Sequence, residues 1–156
     1  INKFVLLLLY MSYKGIYRPS NPKKYKGDSQ NIIYRSLWER KFMNYCDLNE
    51  NILEWASEEF WIPYLDPTTN RVRRYFPDFF IKYKDKDSNI RRSVIEVKPM
   101  RETLEPKVTK GKSRKTMINE SLTYVKNQAK WKAAKEFCTD RKLEFKIMTE
   151  KELGIR

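Results

Sequence analysis

Two short segments of the chain carry charged side chains whose spacing could bind a divalent cation. Residues 93–99 read SVIEVKP, and this pattern predicts a strand that ends at Pro99. Side chains alternate between the two faces of a strand, so Glu96 and Lys98 project from the same face. A carboxylate and an ammonium group therefore leave the end of this strand together.

Asp78 is a second acidic candidate, and its neighbours make an ionised carboxylate costly. It lies in the segment YFPDFF, residues 75–80. A charge among aromatic side chains is unfavourable unless a cation, a partner charge or hydrogen bonds satisfy it. If the strands that carry Asp78 and Glu96 are neighbours, the two carboxylates lie together and a divalent cation relieves their repulsion. All-oxygen ligands favour Mg²⁺, with Mn²⁺ as a substitute, over zinc.

A salt bridge is the structural alternative for these residues, with Lys98 neutralising Glu96 or Asp78. The Glu-x-Lys pattern alone is common on strands and discriminates poorly. The aromatic-flanked Pro77-Asp78 pair, 18 residues before Glu96, favours a functional site.

Composition limits the chemistry that the chain can perform. The 156 residues contain no histidine, which excludes Ser-His-Asp triads, HNH-type nucleases and HExxH zinc hydrolases. Cys46 and Cys138 form no CxxC zinc pattern, and we expect both to be buried free thiols in a reducing cytosol. The 33 Lys and Arg residues exceed the 20 Asp and Glu residues, giving a net charge of +13. This excess favours a nucleic-acid partner over a protein that is merely basic.

The hydrophobic pattern predicts a single α/β domain over residues 11–156. The predicted elements are a helix at 36–47, strands at 53–62, 74–83 and 92–98, a helix at about 117–141, and a strand at 143–148 before a short helix. The long helix carries an apolar stripe of Ile118, Leu122, Val125, Ala129, Ala133 and Phe137. The order α-β-β-β-α-β predicts a central mixed sheet of about four strands flanked by helices. At least three of the four tryptophans are expected in the core.

Residues 1–10 read INKFVLLLLY and precede Met11. This apolar run is too short to span a bilayer and has no small-residue cleavage site. We interpret it as a non-native or upstream leader, with Met11 as the natural start.

Two cation-rich segments are expected to contact a nucleic-acid backbone. The composition of residues 12–30 predicts an irregular basic arm, and that of residues 100–116 predicts a mobile basic loop. Solvated loops without a binding role are the alternative. The candidate contacts are Lys23, Lys24, Lys26, Lys107, Lys110, Lys112, Arg114 and Lys115.

The tripeptides Gly15-Ile16-Tyr17 and Tyr25-Lys26-Gly27 are similar to the GIY-YIG nuclease motif. That motif needs both tripeptides on paired strands, and Pro19 and Pro22 argue against a regular hairpin there.

Four blocks of the sequence together resemble the PD-(D/E)XK nuclease superfamily. They are YRSLWE (34–39), YFPDFF (75–80), IEVKP (95–99) and KWKAAKEF (130–137). Their order and spacing resemble the head completion nucleases of tailed phages, and the core pattern is similar to the endonuclease subunit of heteromeric transposases. The resemblance covers about residues 12–150 and implies a restriction-endonuclease-like core.

The resemblance implies a Mg²⁺-dependent DNA endonuclease. Asp78, Glu96 and the Val97 carbonyl would hold the metal, and Lys98 would orient the attacking water and stabilise charge on the phosphate. Glu39 matches a fourth catalytic acid that could support a second metal ion. Ser36-x-x-Glu39 also fits a helix capping box, and both interpretations stay open.

Two further cations have open roles. Arg35 contacts a phosphate or pairs with an acid of the site. Lys130 either reaches the site from the long helix, as a DNA contact, or lies on a solvated helix face.

The resemblance also implies a biological setting. It suggests a phage protein that acts in head completion after DNA packaging, located in the host cytoplasm or on the virion and not secreted. Capsid or portal proteins would be partners besides DNA, without a membrane or a small-molecule cofactor. The alternatives are a DNA-end-binding head protein with vestigial nuclease activity, and a transposon-type or repair-type endonuclease.

The net charge predicts that DNA binding is dominated by phosphate contacts and weakens steeply with salt. For six to ten such contacts, Kd for a duplex should rise about 10³-fold or more between 50 and 200 mM salt, because each contact releases counterions. Fluorescence anisotropy at increasing NaCl measures this dependence. A complex insensitive to salt would overturn the argument from charge.

Overall fold

The computed structural model describes residues 13–155, in which the chain forms eight strands and three α-helices. The proposed leader 1–10 lies outside these residues. The elements are β1 (Gly15–Tyr17), β2 (Ile32–Tyr34), α1 (Leu37–Leu48), β3 (Ile52–Ser57), β4 (Ile62–Asp66), β5 (Arg71–Tyr75), β6 (Phe79–Lys84), β7 (Ile90–Val97), α2 (Met100–Thr103), α3 (Arg114–Asp140) and β8 (Glu144–Met148). A single 3-10 turn, Pro22–Lys24, separates β1 from β2.

The central sheet has four strands in the order β3-β6-β7-β8. The β3–β6 and β6–β7 pairs are antiparallel, and β7 and β8 are parallel. Parallel neighbours need a long crossover, and α3 lies within the one between β7 and β8. This arrangement confirms the predicted mixed sheet of four strands flanked by helices.

The two faces of β7 differ in chemistry. Ile95 and Val97 are buried in a hydrophobic cluster with side chains of α1, β3 and β6. In this cluster the rings of Phe42 and Phe79 lie 4.7 Å apart. The alternation of side chains along β7 sends Glu96 to the other face, toward Tyr75 and α3. The apolar side anchors the strand while the other side stays available for charged groups.

The two long strands predicted at 53–62 and 74–83 are each broken in the structure. The first break follows Ser57, where Glu58 adopts a φ of +52°. The second spans Phe76–Asp78, where Pro77 has no amide hydrogen for a strand ladder. The outer halves pair with each other as the separate hairpin β4–β5, which packs on α3. The prediction ran through Glu58-Glu59 and Pro77-Asp78 because apolar and aromatic residues flank both sites.

The basic segment 12–30 is not an irregular arm in its described part, and that prediction was wrong. β1 pairs with β2. Tyr17 and Tyr25 are buried and meet Trp55 edge-on at ring distances of 5.9 and 4.7 Å. Tyr25-Lys26-Gly27 lies outside the named strands, so the paired tripeptides of a GIY-YIG motif are not formed.

Asp47 holds this segment against the end of α1. Its carboxylate is buried and accepts hydrogen bonds from the backbone amides of Ser20 at 2.7 Å and Asn21 at 3.0 Å. The Lys24 ammonium donates to the backbone oxygens of Asp47 and Asn49 at 2.9 and 2.8 Å. One acid thus replaces the strand partners that this stretch lacks.

The prediction of an apolar stripe along the long helix was wrong for the first half of that helix. Ile118, Leu122 and Val125 are exposed, whereas the buried positions begin at Asn127 and include Trp131. The helix starts at Arg114, so Arg114 and Lys115 belong to it and not to a loop; Met100–Thr103 of the predicted loop is also helical. After β8 the chain forms turns, not the predicted short helix.

Other predictions about the core are confirmed. Cys46 and Cys138 are buried free thiols. Trp38, Trp55 and Trp131 are buried, whereas Trp61 is exposed. None of the helices within residues 13–155 combines the length and hydropathy that a membrane crossing requires.

Replacing Asp47 with alanine should lower the free energy of unfolding by about 3 kcal/mol, because backbone donors lose a charged acceptor. Urea denaturation measures the change. Asp140→Ala, at the exposed end of α3, is the matched control and should change stability by less than about 0.5 kcal/mol. Equal stability of the two variants would contradict this role of Asp47.

Candidate active site

The β6–β7 hairpin brings Asp78 beside the end of β7. Phe79 pairs with Ile95, so the residue before Phe79 lies next to Glu96. The Asp78 Oδ2 atom accepts a 2.7 Å hydrogen bond from the backbone amide of Val97. The structure therefore places the two predicted metal-binding acids together.

Glu96 is held by a hydroxyl group on one side and an ammonium group on the other. The residue as a whole is only 5% exposed. Oε2 accepts a 2.6 Å hydrogen bond from the Tyr75 hydroxyl, and Oε1 lies 3.6 Å from the Lys98 ammonium nitrogen. The salt bridge between Lys98 and Glu96 is thus present, as the structural alternative predicted. It lies within the cluster of charged groups that a metal site would also require.

The electrostatics of Asp78 reflect this crowding. Burial, followed by the negative charge of Glu96, raises the pKa of Asp78 well above its usual range, although Lys98 and the Val97 hydrogen bond act in the opposite direction. When burial and a like charge raise the pKa of a carboxyl group, a divalent cation at that place would stabilise both acids.

Glu39 both caps α1 and influences the site. Its Oε2 atom accepts a 2.7 Å hydrogen bond from the Arg35 amide, and its own amide donates to Ser36 Oγ at 3.1 Å. Burial is the main cause that raises the pKa of Glu39, and the charge of Glu39 in turn contributes to the raised pKa of Asp78. Glu39 therefore makes the capping contact and also lies close enough to Asp78 for its charge to act there.

Arg35 pairs with an acid that the sequence did not single out. Its guanidinium donates to both carboxylate oxygens of Glu58, at 3.3 and 3.1 Å. The Glu58 amide donates to the Asp78 carbonyl at 3.2 Å. Arg35 is thus connected to Asp78 through Glu58. Glu58 occupies this place because the chain turns after β3.

Lys130 reaches the site from α3. Its ammonium nitrogen lies 5.9 Å from the ring centroid of Tyr64 and 5.6 Å from that of Tyr75. Burial lowers the pKa of Lys130, while the charges of Glu96 and Asp78 act to raise it. Lys130 is half-buried against these rings and does not lie on a fully solvated helix face, while its contact with DNA stays a prediction.

The remaining predicted DNA contacts fall into two groups. Lys26 lies 3.6 Å from Glu54, and Lys112 lies 2.7 Å from Glu120, so these cations have protein partners, as Lys24 does. The other predicted contacts are Lys23, Lys107, Lys110, Arg114 and Lys115, which are exposed, as Lys26 and Lys112 also are.

A cavity of about 810 Å³ opens beside Lys98. It is lined by the α2 segment, the following loop and the first half of α3. Lys98 is the one of the three predicted catalytic residues Asp78, Glu96 and Lys98 that lines this cavity.

Comparison with known proteins decides the family. The model of the TnsA-like endonuclease N-terminal domain matches residues 49–150. The chain is also 38% identical over 143 residues to the head completion nuclease of Enterobacteria phage T4, covering 90% of this chain and 93% of that protein. This chain belongs to the TnsA-like endonuclease family. It is an endonuclease of the PD-(D/E)XK type, and the family match contains Asp78, Glu96 and Lys98.

Endonucleases of this family generally use a divalent metal ion, and the donors present here fit one. Across residues 13–155, no three side chains of Asp, Glu, Cys or His converge in a ready-made metal cluster. Mg²⁺, however, usually binds through one or two carboxylates and retains several water ligands. The pair of Asp78 and Glu96 meets that requirement.

Sequence reasoning missed the roles of Glu58 and Tyr75 in this endonuclease site. No local signal identifies Glu58, because its contacts depend on the break after β3. Tyr75 stood inside the quoted block YFPDFF, but the break at Pro77 puts its hydroxyl in contact with Glu96.

The raised pKa of Asp78 predicts that the metal-free endonuclease loses stability as pH rises. The folded state holds the proton more tightly than the unfolded state, so stability falls from about pH 4 up to the raised pKa and is level above it. Asp78→Asn removes this charge, while its amide oxygen can still accept from the Val97 amide. In EDTA at pH 8 the variant should melt at a higher temperature than wild type. A lower Tm would contradict the pKa direction.

Proposed function

We propose that this endonuclease hydrolyses DNA phosphodiester bonds with Mg²⁺ held by Asp78, Glu96 and the Val97 carbonyl oxygen. The observation that carries the proposal is the juxtaposition of the two acids, with Asp78 hydrogen-bonded to the amide that follows Glu96. Their mutual repulsion is relieved when a divalent cation binds between them. Mn²⁺ is expected to substitute, since it accepts the same oxygen ligands.

Lys98 is the group best placed to act on the reacting phosphate. A bound Mg²⁺ supplies Lewis-acid activation of the phosphate and a more acidic water. Lys98 borders the open cavity, where its ammonium group can orient the attacking water and stabilise charge on the phosphate oxygens. Its 3.6 Å separation from Glu96 keeps the cation beside the acids without a tight ion pair.

Glu39 and Lys130 have supporting roles in this proposal. Glu39 would assist a second metal ion through water, since its charge already acts on Asp78. Lys130 would contact a phosphate next to the scissile one, because its ammonium lies between the aromatic rings and the acids.

The DNA backbone is proposed to contact the exposed cations of the loop after α2 and of the start of α3. These are Lys107, Lys110, Arg114 and Lys115, with Lys23 on the N-terminal segment. Arg35, Lys24, Lys26 and Lys112 would contribute charge from within their protein contacts. Such contacts position the duplex without reading its sequence.

The proposed biological role is head completion after DNA packaging, with capsid or portal proteins as partners, in the host cytoplasm or on the virion. It is supported by the similarity to the phage nuclease across nearly the whole of both chains. A vestigial nuclease is disfavoured because the acids and Lys98 retain their mutual contacts.

Asp78→Ala and Lys98→Ala should each reduce plasmid nicking in Mg²⁺ by at least about 100-fold, because they remove a metal ligand and a transition-state cation. Retention of DNA in a gel-shift assay should persist, since most of the basic surface is unchanged. Gel electrophoresis of supercoiled plasmid measures the rate.

Asp87→Ala and Lys84→Ala provide the matched controls. They change the same residue types at the opposite end of the β6–β7 hairpin, where both side chains are exposed. These variants should nick at the wild-type rate. Equal cutting by all five proteins, or no cutting by wild type in Mg²⁺ or Mn²⁺, would refute the catalytic assignment.

A further inference from the structure

The Tyr75 hydroxyl makes a short contact with an acid of the site. It donates a 2.6 Å hydrogen bond to Glu96 Oε2, and both residues are buried, at 3% and 5% exposure. Tyr75 belongs to the β4–β5 hairpin and not to the central sheet. Hydrogen bonds of this length to an ionised acceptor are among the stronger ones in proteins.

The contact determines which parts of the Glu96 carboxylate remain available. Oε2 is oriented by Tyr75, whereas Oε1 is 3.6 Å from Lys98, beyond a hydrogen bond. A donor on one oxygen limits rotation of the carboxylate and leaves the other oxygen to receive a cation. Outer partners of this kind orient the ligands of metal sites.

The packing of the Tyr75 ring restricts its motion. The hairpin packs on α3, and the Lys130 ammonium lies 5.6 Å from the ring centroid. The ring is therefore held in place while its hydroxyl donates to Glu96.

We propose that Tyr75 is a positioning residue of this endonuclease, which orients Glu96 for the divalent cation and thereby couples the β4–β5 hairpin to the site. The inference rests on the proposed function in one respect, that Glu96 is a metal ligand. Tyr75 acts through Glu96 and touches neither the metal ion nor the phosphate.

Tyr75→Phe tests the proposal because it removes the hydroxyl and keeps the ring that packs against Lys130. Its affinity for Mn²⁺, measured by isothermal titration calorimetry without DNA, should fall about 10- to 100-fold. Nicking should show the same shift in the Mn²⁺ concentration that gives half-maximal rate, with a smaller loss at saturating Mn²⁺.

Tyr64→Phe is the matched control. Tyr64 lies on the same hairpin, is buried, and faces the same Lys130 ammonium at 5.9 Å, but its hydroxyl does not hydrogen-bond to Glu96. This variant should bind Mn²⁺ with wild-type affinity. Melting temperatures of both variants separate a loss of folding from a loss of metal binding.

Glu96→Gln and Glu96→Asp distinguish the two ways in which the inference can fail. If Glu96→Gln leaves Mn²⁺ binding unchanged, Glu96 is not a ligand and the proposed function itself is wrong. If Glu96→Gln abolishes Mn²⁺ binding but Tyr75→Phe leaves it unchanged, only the role of Tyr75 is refuted. This conclusion holds whether or not the Tm of the Tyr75→Phe variant changes.

The double variant supplies a second measurement. Glu96→Asp shortens the side chain and withdraws its carboxylate from the Tyr75 hydroxyl. The double variant with Tyr75→Phe should therefore bind Mn²⁺ less than twofold more weakly than Glu96→Asp alone. Additive losses would show that Tyr75 acts independently of Glu96 and would overturn the proposal.

Discussion

Repulsion between two carboxylates is the constraint on which the architecture of this endonuclease depends. Asp78 lies beside Glu96, and burial together with the charge of Glu96 raises the pKa of Asp78. The Val97 amide holds one acid and the Tyr75 hydroxyl holds the other, with Lys98 beside them. In the proposed function these contacts hold the two acids in place, and both acids would bind the same divalent cation.

The fold supplies these contacts from separate elements. The β6–β7 hairpin carries both acids, α1 contributes the charge of Glu39, and α3 contributes Lys130. On the opposite face of β7, Ile95 and Val97 are buried against the cluster that includes α1 side chains. This packing fixes the strand that carries Glu96 on its other face.

The basic composition serves two purposes in the structure. Lys24 fastens the N-terminal segment to the end of α1, and Lys26 and Lys112 pair with acids. Other lysines around the loop after α2 are exposed near the cavity beside Lys98. Net charge alone therefore overstates the surface that is free for phosphate, because part of it stabilises the fold.

The mixed sheet and the main helices could be predicted from the sequence, as could the shared face of Glu96 and Lys98, because strand alternation and hydrophobic periodicity are local properties of the chain. The meeting of Asp78 with Glu96 was predicted only if their strands are neighbours, and the β6–β7 pairing decided it. It did not reveal the hairpin β4–β5, because apolar and aromatic residues on both sides of Glu58 and of Pro77 made each pair of strands look like one. Only the tertiary structure brought Tyr75 to Glu96 and Arg35 to Glu58. These contacts join residues more than 20 positions apart, and their partners depend on how the broken strands turn and pack, which no local pattern encodes.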